Sequence, residues 1–152
     1  ADPVKRLAAP ELAKAIGTGE AAEGPRLLSM LRHHAGQVQE IQRQREGREI
    51  GSYGRQTERD ANLRMMGNIK SGLCLLGPKA AAIREELEQF LQSGVLPAHH
   101  VEGHDMTGWN VILVRMGKPI ESIAKAPRMG GTEANYRRNL REKVERWRPD
   151  RC

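Results

Sequence analysis

A chain of 152 residues is the length of one domain, and its formal charge of +6 comes with more arginine than lysine. Two cysteines without CxxC spacing exclude a cysteine-ligated zinc cluster, and no apolar run in the sequence reaches the length of a membrane span. Hydrophobic residues make up 38% and aromatics 3%, so the expected core is modest and aliphatic, with some of the length extended.

The first element in chain order is APELAKAIGTG, a short helix opened by Pro10 and stopped by Gly17 or Gly19. A linker follows, which gives an N-terminal unit over 1–24. Pro25 opens an amphipathic helix or arm over 25–50. Leu27, Leu31, His34, Val38 and Ile41 fall at spacings of 4, 3, 4 and 3. Such a seam faces either a core or a second copy of the chain, so a homo-oligomer or larger assembly is expected. Past Ile41, QRQREGREIGSYGRQ offers little to bury and reads as a frayed helix end and a mobile loop.

The main domain is expected over 57–148. Thr57 with Asp60 has the form of a capping box, and the helix it opens carries Leu63, Met66, Ile69, Leu73 and Leu76. Gly77-Pro78 turns the chain sharply into a helix striped by Ala80, Ile83, Leu87, Phe90 and Leu91 and stopped at Gly94. Cys74 reads as a small buried hydrophobe. Val95–Val101 is a candidate strand. WNVILVR and PIESIAK read as two strands joined at MGK, a hairpin over 109–125. Thr132 caps a last helix whose Tyr136, Leu140, Val144 and Trp147 share one face. The expected fold is therefore α+β: four or five helices and a small antiparallel hairpin sheet.

Two helices at a tight turn followed by a hairpin resemble a winged-helix module. SGLCLLGPKAAAIREELEQFLQSGVLP is similar to its helix-turn-helix stretch, and VILVRMGKPIESI to its wing. The resemblance implies a helix from Pro78 in the major groove and a wing beside the backbone.

Candidate chemistry gathers in AHHVEGHDMTGWN, which holds three of the five histidines. His100 and His104 stand four apart, as zinc ligands on a helix do. Glu102 is centred between them rather than adjacent, however, and Pro97, Gly103 and Gly108 favour a loop. His100-Val101-Glu102 matches the H-x-E element of zinc nucleobase deaminases, whose second half, PCxxC, is missing. No metal or cofactor is expected. Without a metal, His99, His100 and His104 have the chemistry of a general base and acid, with Arg115, Lys118 or Lys125 as the cation of a small ribonuclease. Gly130-Gly131-Thr132 at a helix start is either a plain cap or an anion seat.

A guanidinium grips a phosphate with paired hydrogen bonds, so an arginine-rich chain points to nucleic acid. The residues expected to meet phosphates are Arg137, Arg138 and Arg141 on the last helix, Arg43, Arg45, Arg48 and Arg55 around the loop, and Arg115 and Lys118 at the hairpin. The leading expectation is a non-enzymatic nucleic-acid-binding or assembly protein that meets phosphates through arginine. The second is a metal-independent, toxin-like ribonuclease, and the third a structural subunit of a larger complex. No charged-then-apolar leader opens the sequence, and an intracellular setting, cytoplasmic or nuclear/nucleoid, is expected.

Overall fold

The computed structural model of the chain describes residues 23–151. The expected first helix, most of the linker after it and Cys152 lie outside these residues. The described chain is helical: α1 Glu23–Glu46, α2 Gln56–Leu76, α3 Arg84–Gln92, α4 Gly103–Arg115 and α5 Glu133–Glu145. Short 3-10 segments occupy Gly77–Ile83, Ala98–His100, Ile120–Ser122 and Pro149–Arg151. Among the described residues there is no β-strand, so the α+β expectation, the hairpin sheet and the wing of a winged helix are all overturned. None of these helices is long and apolar enough to cross a membrane.

α1 and α2 run antiparallel. The His34 ring meets Asn62 Oδ1 at 2.8 Å, and further along Arg55 Nη1 donates to Gln44 Oε1 at 2.8 Å. The seam of α1 faces inward: Leu27, Leu31, Val38 and Ile41 are buried, while His34 is half-buried. The residues that cover it come from the chain itself, with Met66, Ile69 and Leu73 of α2 in the same core. Between the two helices the loop is tied down by Arg45, whose guanidinium donates to the Gly54 carbonyl at 3.0 and 2.9 Å and to Gln56 Oε1 at 2.8 Å. The expected Thr57 cap does not form. α2 starts one residue earlier, behind Arg55 in a left-handed conformation with φ 58°, and Asp60 accepts from the Gln56 side chain instead.

α2 ends at Gly77, whose φ of 48° is open to glycine and strained for other residues. The next segment begins as a 3-10 helix with Pro78 near its start and becomes α-helical at Arg84. Ala80, Ile83, Leu87, Phe90 and Leu91 are all buried, so the stripe expected of this element is the face it buries. Cys74 is buried as well, but it is disulfide-bonded rather than a simple apolar filler.

The largest departure from expectation is α4. WNVILVR is the end of a helix that starts at Gly103, and Val95–Val101 holds a 3-10 turn rather than a strand. The physical reason is burial on two sides. Trp109, Ile112, Leu113 and Met116 belong to the main core, while Met106, Val111 and Val114 pack against a second cluster of Ile123, Ala126, Tyr136 and Leu140. A helix lodged between two apolar clusters needs apolar residues all round, and four in a row then look like a strand. PIESIAK has no strand partner. It crosses to α5 through a 3-10 turn and drops Ile123 and Ala126 into the second cluster.

The two clusters are linked by a buried polar chain. Asn110 Nδ2 donates to Tyr136 Oη at 2.9 Å, Tyr136 Oη meets Thr107 Oγ1 at 3.0 Å, and Thr107 Oγ1 donates to the Gly103 carbonyl at 3.0 Å. Each hydroxyl has one proton to give, so Thr107's bond to the carbonyl makes the tyrosine the donor in the middle link. α5 begins at Thr132 as expected, with Oγ1 accepting the Asn135 N–H at 3.1 Å.

Candidate functional site

The histidine segment does not form one site. The 3-10 turn ends at His100 and α4 begins at Gly103, so the histidines fall on two separate elements. His99 is exposed and lines a groove of 420 Å³ with Gln39, Gln42 and Arg59. His104 is exposed on the first turn of α4 and lines a different cavity. His100 is half-buried, its ring centroid 4.2 Å from that of His99, and its Nε2 is buried without a hydrogen-bond partner. Burial holds this imidazole below its ordinary value; the neighbouring His99, Lys70 and Arg59 push the same way and Asp105 opposes them. Among the described residues no three His, Cys, Asp or Glu side chains converge in a way that would hold a metal ion.

Most of the arginines singled out in the sequence are held by other groups of the chain. Arg43 pairs with Glu40 at 2.7 Å and with Glu49 at 3.4 Å, and Arg55 with Glu58. Arg137 bonds Glu133 at 2.6 Å and the Ile123 carbonyl at 2.8 Å, and Arg141 stands 3.5 Å from Glu121. Lys118 pairs with Glu88, and the Lys125 ammonium donates to the Gly131 carbonyl at 2.9 Å. Arg48 and Arg138 are exposed. Arg115 is structural in its contacts: Nη1 donates to the Cys74 carbonyl, and the guanidinium lies 3.3 Å from the centre of the Trp147 ring.

A different basic cluster stands out. Lys70 of α2, His104 of α4, Lys143 of α5 and Arg151 near the chain's end line one cavity of 410 Å³. Its described lining contains no carboxylate; Thr107, Val111, Ile112 and Trp147 supply the remaining wall together with neighbouring small groups. Lys70 is the best-fixed member. Its Nζ donates to the Asp105 carbonyl at 2.9 Å and stands 4.9 Å from the centre of the Trp109 ring. Burial draws the ammonium below its ordinary value, with the Asp105 carboxylate pulling the other way. Gly108 makes room for it: a Cβ at that position would stand 3.0 Å from Nζ.

Several cations gathered in a concave site raise the local positive potential and favour an anion there, even with the Asp105 carboxylate near Lys70. A phosphate fits this description, since it takes several N–H donors at once. Of the four basic residues only His104 was marked by the sequence. Lys70 and Lys143 look like ordinary helix-surface lysines until α2, α4 and α5 are brought together. The chain matches no family model, no curated protein and no solved structure.

Proposed function

We propose that this protein is a non-enzymatic nucleic-acid-binding protein that meets phosphates through the basic cavity between α2, α4 and α5. The observation that carries the reading is the gathering of Lys70, His104, Lys143 and Arg151 around one cavity whose described lining has no carboxylate. Elsewhere on the surface, guanidinium groups such as those of Arg43, Arg55 and Arg137 already face Glu partners. An exposed, paired guanidinium gives up part of its attraction for phosphate, because the carboxylate competes for the same donors. Arg48 and Arg138 extend the contact surface in this reading. A ribonuclease would need a base and an acid in one cleft; His99 and His104 line separate ones, and the Nε2 of His100, the ring beside His99, is buried.

Phosphate contacts of this kind release counterions and confer little base preference. Anisotropy of labelled oligonucleotides, measured without reductant, should show affinity falling as salt rises from about 50 to 200 mM. The double variant Lys143→Gln, Arg151→Gln should bind on the order of tenfold more weakly. It should also flatten the logarithmic salt slope by roughly 0.7 to 0.9 for each contact removed. Affinity that is flat in salt, or unchanged in the double variant, would rule the reading out.

A further inference from the structure

We propose that the cavity takes one nucleotide of a single-stranded nucleic acid, with its phosphate among His104, Lys143 and Arg151 and its base against Trp147. The inference rests on the phosphate-binding reading and adds the form of the ligand. Cations are one kind of lining; Val111, Ile112 and the half-buried indole of Trp147 are the other. A surface that tracked a duplex backbone would need only the first kind. An apolar and aromatic wall beside the cations matches a ligand with a flat, uncharged part next to its phosphate.

The volume agrees with this. At 410 Å³ the cavity falls in the range of about 300–1,000 Å³ typical of small-ligand sites, which suits one nucleotide and excludes the cross-section of a double helix. Bases inside a duplex are stacked and paired, so their faces do not reach a side chain in a pocket. In a single strand each base can turn outward and stack.

Trp147 is held in position before any ligand arrives. Arg115 lies against the ring at 3.3 Å and is anchored to the Cys74 carbonyl at the end of α2. A ring fixed in this way loses little freedom when a base stacks on it, and that lowers the entropic cost of binding. Residue 147 thus joins an Arg–Trp stack to the basic wall.

The test uses the whole chain and three probes: a deoxythymidine decamer, a duplex of equal length and thymidine monophosphate. Intrinsic tryptophan emission is followed alongside anisotropy. The decamer should quench the emission and bind more tightly than the duplex, and the monophosphate should quench weakly at high concentration. Trp147→Leu should lose the quenching, with only Trp109 left to emit, and should bind the decamer roughly 5- to 150-fold more weakly. Trp147→Phe, which keeps a stackable ring, should restore most of the affinity. It also serves if the leucine variant does not fold. Equal affinity for duplex and decamer, or full affinity in a folded Trp147→Leu, overturns the single-strand inference. If Lys143→Gln, Arg151→Gln still weakens binding in that case, the phosphate reading survives. If that variant also binds normally, both fail.

Discussion

His100 shows what the fold does to a single side chain. Its imidazole is kept below the ordinary value of 6.5, first by burial and then by His99, Lys70 and Arg59, against the pull of Asp105. The unfolded chain therefore takes up a proton near 6.5 that the folded chain accepts only at lower pH. Stability tied to this residue is intact above that point and declines as pH falls through it toward the folded value. Thermal unfolding between about pH 7.5 and 5 should show a shallower acid-side decline for His100→Gln than for the parent chain. Identical declines would assign the loss to other groups. The crowding of histidines in 98–110 was plain in the sequence, but their separation into different clefts was not. That separation depends on Val101 and Glu102, the two residues between the 3-10 turn that ends at His100 and the helix that begins at Gly103. Lys70 was invisible for a related reason. The glycine that makes room for it belongs to α4, and spacing along α2 carries no trace of that contact.

At the scale of elements, apolar spacing was a sound guide where one face is buried and a poor one where two are. The α1 seam and the α3 stripe were legible because each packs on a single side, leaving a polar face to set the period. In α4 the run Val111–Val114 hides that period. Yet Met106, Trp109, Leu113 and Met116 stand at spacings of 3, 4 and 3, the helical signal read in α1. Burial against two clusters outweighed the β-branched preference of the run. The seam of α1 also carries a consequence for assembly. Leu31 is 0% exposed and is packed within the chain itself. Leu31→Ala should cost about 2–5 kcal/mol in urea unfolding, from lost burial and the cavity left behind. Light scattering should find its mass in solution equal to that of the parent. A change in mass with little change in stability would instead place the seam between two copies.

For the molecule as a whole, the charge total in the sequence said less than its distribution. Net +6 is compatible with many surfaces, and among the described residues the structure sorts cations into paired guanidinium groups, exposed ones such as Arg48 and Arg138, and those that gather around the cavity. That the chain is mainly helical, and that a helix ends at Gly77, were readable. The packing of α4 between α2 and α5, which builds the cavity, was not, because it joins residues far apart in the chain. Arg115 holds that arrangement together, touching the end of α2 and the ring of Trp147 at once. Its guanidinium fills the space beside Gly77, where a Cβ would stand 2.6 Å from Nη2. Gly77→Ala should therefore destabilise by more than about 1 kcal/mol, part of it from the positive φ, and should shift the emission of Trp147. A variant with unchanged stability and spectrum would show that the guanidinium yields freely. The same crowding makes positions 77 and 115 a single unit of inheritance. In any lineage descended from this chain, a side chain at 77 should be found only where the arginine at 115 has been replaced, so the two changes should arrive together.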